Sequence, residues 1–134
     1  MAFNYEHNCF CCGEFNQHGL QLKFLQEGDV VRTTFVPTET YEGYPGIMHG
    51  GITSTILDEI MSQTLNALGL MGYTARLEVR FRQHVPLNRP VTFEARIIRE
   101  KGSLVETSAC ACLDDGSIAA EATGKFMLAS KKEA

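Results

Sequence analysis

One stretch of this chain, from about Gly51 to Leu68, repeats its apolar residues with the period of a helix, and nearly everything after it repeats with a period of two. Ala75, Leu77, Val79 and Phe81 alternate with Arg76, Glu78, Arg80 and Arg82. Val91, Phe93, Ala95 and Ile97 follow, then Val105, Thr107, Ala109 and Ala111, then a run from Ile118 to about Ala129. Glu100-Lys101-Gly102 and Asp114-Asp115-Gly116 read as hairpin turns between these strands. Upstream, Gly19 opens a strand with Leu20, Leu22 and Phe24 on one face. Glu27-Gly28-Asp29 turns it, and Val31, Thr33 and Phe35 complete a hairpin that Pro37 ends. One hairpin, one long helix and four meandering strands make an α+β domain. An antiparallel sheet with one apolar face needs a cover, and the single apolar helix is the natural one.

At 134 residues, with 44% hydrophobic and 21% charged content, residues 1–134 are expected to form a single domain with its own core. Within it, 1–18 read as an irregular segment and 130–134 as a charged tail. A net charge of −4 with scattered basic residues argues against nucleic acid, whose phosphates demand a basic surface. The first thirty residues lack a charged-then-apolar leader, and no apolar run reaches the length of a membrane span. No membrane partner is therefore expected, and the expected location is the cytoplasm. Five cysteines, an odd number, fit reduced thiols there. Cys110 and Cys112 fall on a strand and read as small core residues.

Chemistry is expected where the helix begins. Gly46-Ile47-Met48-His49-Gly50-Gly51 is a glycine-rich turn feeding a helix whose first amides have no intrahelical acceptor. N–H groups at the positive end of a helix suit a carbonyl oxygen that gains charge under attack. With residues placed at about 100° each, Ile52, Ile56, Leu57, Ile60, Met61, Thr64, Leu65 and Leu68 form one buried arc, with Asp58 and Glu59 at its opposite borders. Both carboxylates cannot aim at one point, and periodicity leaves the choice open.

The N-terminal segment gathers His7, Cys9, Cys11, Cys12 and His18, with one C-x-x-C in Cys9-Phe10-Cys11-Cys12-Gly13. Tetrahedral zinc needs four N or S donors, which His7, Cys9, Cys12 and His18 would supply. A second C-x-x-C is missing, and a turn packed by small thiols accounts for the same residues. Packing without a metal is the expectation.

Three spaced motifs, taken together, resemble the hotdog-fold acyl-CoA thioesterases, in the branch related to the phenylacetate-pathway thioesterases. They are Cys9-Phe10-Cys11-Cys12-Gly13 with Asn16 and Gly19-Leu20; Gly46 to Gly51 followed by Leu57-Asp58-Glu59; and Leu77-Glu78-Val79-Arg80-Phe81 leading to Val85-Pro86-Leu87. The resemblance covers almost the whole chain and implies a hotdog fold, an antiparallel sheet wrapped around one long central helix. It places the catalytic carboxylate at Asp58, nine positions after His49, with Glu59 as a supporting acid. It makes the Gly50 amide the oxyanion donor and has His49 orient the turn or touch the thioester. It also assigns to Thr74 a hydroxyl that reaches the site across a dimer interface. Many relatives carry Asn or Gln six residues before the histidine, where this chain has Gly43. Glu42, another polar group or ordered water must then substitute, or turnover is weak.

The activity so implied is hydrolysis of a small or medium acyl-CoA to free acid and coenzyme A, without a metal and with no cofactor beyond the coenzyme A of the substrate. Asp58 would activate water or attack the carbonyl itself; the residues do not separate these routes. Gly51, Glu59, Arg80 and Arg82 are the expected substrate contacts, with Arg89 and Lys101 as further candidates for the phosphates. A homodimer is the expected minimum, and the family often goes on to tetramers. Two rival activities stay open at this level: a hotdog enoyl or hydroxyacyl thioester hydratase, and a non-catalytic acyl-CoA binding module.

Overall fold

The helix forms where its period placed it, as α1 (Gly50–Asn66), in the computed structural model of the chain, which describes residues 3–129. The expected charged tail lies outside these residues. Strands β1 (Leu25–Glu27), β2 (Val30–Phe35), β3 (Gly72–Phe81), β4 (Val91–Lys101), β5 (Leu104–Leu113) and β6 (Ile118–Leu128) pair antiparallel in one sheet, in the order β1-β2-β4-β5-β6-β3. This is the hotdog arrangement. Ile56, Leu57, Ile60, Met61 and Leu65 of the helix are fully buried, as are Val91, Phe93, Val105, Ala111, Ala120 and Phe126 of the sheet. Among the described residues, no helix is long and apolar enough to cross a membrane.

Four details depart from the sequence-based expectations. First, the meander holds only for β4, β5 and β6; β3 pairs with β6 and not with β4, because the Arg82–Pro90 connection carries the chain across to a strand beside β2. Second, residues 20–24 do not join the sheet. Leu20 and Leu22 are buried as the alternation requires, but their amides bond Phe10 O and Cys11 O, and Gln21 has φ 56°, which interrupts an extended ladder. Third, the helix stops at Asn66, so Leu68 is 58% exposed, while Thr53 and Gln63 take buried places on the arc. Fourth, Cys110 and Cys112 stand half-buried on the face of β5 opposite its core residues, since a period of two gives the inner face to Ala109 and Ala111.

β3 is a further surprise. Its apolar alternation predicts a buried face, yet Tyr73, Leu77 and Phe81 are exposed. The strand lies at the sheet's edge and has a partner on one side only.

Candidate active site

The turn before α1 forms one wall of the largest cavity, about 830 Å³, lined by Glu42, Tyr44, His49, Gly50, Phe81, Arg82 and His84 among others. His49 caps the helix: its Nδ1 accepts the Gly51 N–H at 2.9 Å. A Cβ at Gly51 would stand 3.0 Å from that imidazole, so a glycine is needed for the ring to seat. The cap takes the Gly51 amide out of use. The Gly50 N–H precedes it on the same turn, borders the cavity and has no acceptor among the described residues. Of two adjacent glycines, only Gly50 therefore keeps a free donor pointing away from the helix.

Asp58 is half-buried on the flank of α1 and accepts a hydrogen bond from the Thr74 hydroxyl at 2.8 Å. Thr74 is the third residue of β3, at a bulge where the register with β6 shifts between Thr74 and Arg76. Such an irregularity re-aims a side chain out of the regular alternation. Thr74 and Asp58 thus belong together within one chain. Asp58 does not line the cavity at the Gly50 turn: eight residues along a helix, at about 1.5 Å each, separate it from Gly50 by about 12 Å.

Glu59 is directed elsewhere, toward the N-terminal segment, where it accepts from Gln63 Nε2 at 3.0 Å and from Cys12 Sγ at 3.0 Å. His7, Cys9 and Cys12 gather around it, whereas His18 is exposed and apart. The four donors His7, Cys9, Cys12 and His18, weighed in the sequence as an alternative to packing, are therefore not brought together as a set. Arg82 lines the main cavity and pairs with Glu121 at 3.2 Å. Arg80 projects into a separate shallow depression with Glu78 and Glu121, Arg89 pairs with Asp114, and Lys101 lies in the exposed β4–β5 hairpin. Gly43 packs on His49, where a Cβ would lie 3.1 Å from its Cα, and the Glu42 carboxylate is held by the Gly46 N–H at 2.6 Å. An amide at position 43 would crowd the capping histidine. His84, which is not among the residues that the sequence motifs single out, reaches the cavity beside Arg82; its only local signal is its place between the β3 motif and Val85-Pro86.

A family model described as the thioesterase superfamily matches residues 45–120. The human protein named acyl-coenzyme A thioesterase THEM5 is 28% identical over 94 residues, which are 69% of this chain and 38% of that protein. The chain thus spans well under half the length of this curated relative. Among solved structures, the thioesterase superfamily protein RHA08564 superposes with a TM-score of 0.85 at 26% identity, over 90% of this chain and 63% of that one. A hypothetical thioesterase from Streptococcus pneumoniae, solved with coenzyme A, gives 0.77 at 18% identity, over 81% and 89%. The E. coli PaaI protein from the phenylacetic acid degradation operon gives 0.76 at 15% identity, over 81% and 83%. These last two share the fold.

Proposed function

The chain belongs to the thioesterase superfamily, and from that premise we propose that it hydrolyses a small or medium acyl-CoA thioester to the free acid and coenzyme A. The observation that carries this reading is the Gly50 N–H: it is the unpaired first donor of α1 and borders the cavity, while its neighbour's amide is taken by His49. A donor fixed there stabilises the oxyanion of a thioester under attack, and removing such a donor typically slows turnover by about 10²–10³-fold. Arg82 at the cavity wall supplies a cation for a coenzyme A phosphate.

Asp58 provides the base or the nucleophile, with the Thr74 hydroxyl holding its carboxylate. Because Gly50 and Asp58 are about 12 Å apart on one helix, a complete site takes the Gly50 turn from one protomer and the Asp58–Thr74 pair from another. The unpaired edge of β3, with Tyr73, Leu77 and Phe81 exposed, is the surface a second copy would cover. The Streptococcus pneumoniae protein has also been solved with an aspartate and, separately, a threonine replaced by alanine. Those two positions have the same spacing of sixteen as Asp58 and Thr74.

As base, Asp58 takes a proton from water while the hydroxide adds to the carbonyl carbon and the thiolate of coenzyme A leaves. As nucleophile, its carboxylate oxygen forms a mixed anhydride that water then opens. A panel of acyl-CoAs with thiol detection tests the activity. A single turnover in ¹⁸O-water separates the routes, since only the anhydride route can leave label in Asp58. A protein that binds coenzyme A yet releases no thiol from any acyl-CoA would overturn the proposal in favour of a binding module.

A further inference from the structure

Glu59, next to the proposed catalytic aspartate, faces away from the main cavity into a second one of about 490 Å³ bordered by His7, Cys9, Cys12, Gln63 and Asn66. Its Oε2 lies 3.0 Å from Cys12 Sγ and 3.9 Å from Cys9 Sγ, and ligand atoms of all three residues fall within 4.8 Å of one another. A tetrahedral ion with bonds of about 2.0–2.3 Å has ligand–ligand edges of about 3.3–3.8 Å. The three donors therefore already stand near the separations such an ion imposes. The Cys9-Phe10-Cys11-Cys12-Gly13 turn, closed by the Gly13 N–H on Cys9 O at 2.9 Å, holds both sulfurs on the side of the helix.

The surroundings fit a cation better than a neutral packing cluster. Cys12 is 3% exposed, and its contact with Glu59 puts a carboxylate against a nearly buried thiol. Among the described residues, no lysine or arginine forms an ion pair with Glu59. Gln63, itself buried, donates to the same Oε2 that faces Cys12, the kind of support that orients a ligating carboxylate. His7 is positioned differently. Its Nδ1 lies 3.2 Å from the Cys9 N–H and its Nε2 2.7 Å from Asn4 O, so backbone groups already engage both ring nitrogens.

We propose that Cys9, Cys12 and Glu59 bind a zinc ion, with a water or small exogenous ligand from the second cavity as the fourth donor. Two thiols release their protons to solvent as the ion binds, and nothing is oxidised or reduced. The ion would fasten the N-terminal segment to the helical turn that carries Asp58, one residue before Glu59. It takes no part in thioester hydrolysis, so this site stands or falls independently of that activity.

The test uses the full chain purified without a histidine tag. Metal analysis is expected to find about one zinc per chain. Cobalt(II) added to chelator-stripped protein should give thiolate-to-cobalt charge-transfer absorption, and two buffers of different ionisation enthalpy should report about two protons released per ion. Cys9→Ser and Glu59→Gln should each weaken cobalt binding by at least about tenfold. His18→Gln, a change outside the cluster, should leave it unaltered. Because Cys9→Ser also removes a packing group, circular dichroism must show it folded; Glu59→Gln keeps shape and volume and stands as the second variant. Fully reduced protein that takes up no cobalt, a Glu59→Gln protein that binds it as well as the parent, or a Cys9–Cys12 disulfide that still binds no metal after reduction would each overturn the site.

Discussion

Replacing Gly50 with proline removes one hydrogen, the donor on which the proposed oxyanion stabilisation rests, and local geometry shows why little else should change. Gly50 is the first residue of α1, a position where a helix tolerates proline because that N–H has no intrahelical partner. The residue before a proline must be extended, and His49 already has ψ 127°. A Cβ at Gly50 would meet only the Phe81 ring, at 3.5 Å, an ordinary contact. The His49–Gly51 cap is untouched. Proline should therefore leave stability unchanged or raise it by about 0.4–1 kcal/mol through the unfolded chain. Turnover should fall by about 10²–10³-fold, equivalent to about 2.7–4 kcal/mol of transition-state stabilisation. Gly50→Ala, which keeps the N–H, should retain most of the activity. The assay is kcat for the best acyl-CoA of the panel, beside thermal unfolding and coenzyme A affinity for each variant. A folded Gly50→Pro protein that binds coenzyme A normally and keeps more than about a tenth of wild-type turnover would refute the role of the Gly50 amide.

Asp58→Asn should abolish thiol release while coenzyme A binding persists; retained turnover in Asp58→Asn with loss in Glu59→Gln would reverse the carboxylate assignment. Thr74→Val removes a hydrogen bond to a charged group and should slow turnover by about tenfold to a hundredfold, with Thr74→Ser restoring it. Leu77→Lys, on the exposed edge of β3, should convert a dimer to monomer in sedimentation and lose activity together, and an active monomer would exclude a site shared between protomers. In urea unfolding, Leu57→Ala should cost about 2–5 kcal/mol because Leu57 is fully buried, whereas Leu68→Ala, beyond the end of the helix, should stay within about 0.5 kcal/mol.

Much of the molecule follows from the chain read locally. Periodicity is a property of neighbours along a segment, so the long helix, four long strands and their turns are legible wherever burial alternates at 3.6 or 2 residues. The turn at His49-Gly50-Gly51 was equally visible, because helix ends and adjacent glycines carry local signals. Which strands pair is not local: β3 joins β6, 37 residues beyond its own end, and the pattern in Leu77, Val79 and Phe81 looks the same whether a helix or a second protomer covers it. Periodicity does not choose between the two glycine amides; the family resemblance points to Gly50, and tertiary structure supplies the physical reason by seating the His49 ring on Gly51. It also separated the paired acids, sending Asp58 to the bulge at Thr74 and Glu59 to thiols nearly fifty residues away, the Cys12 and Cys9 sulfurs lying 47 and 50 positions upstream. Helical spacing had placed these carboxylates on opposite borders of one arc, but what waits at each border depends on which distant segments pack there.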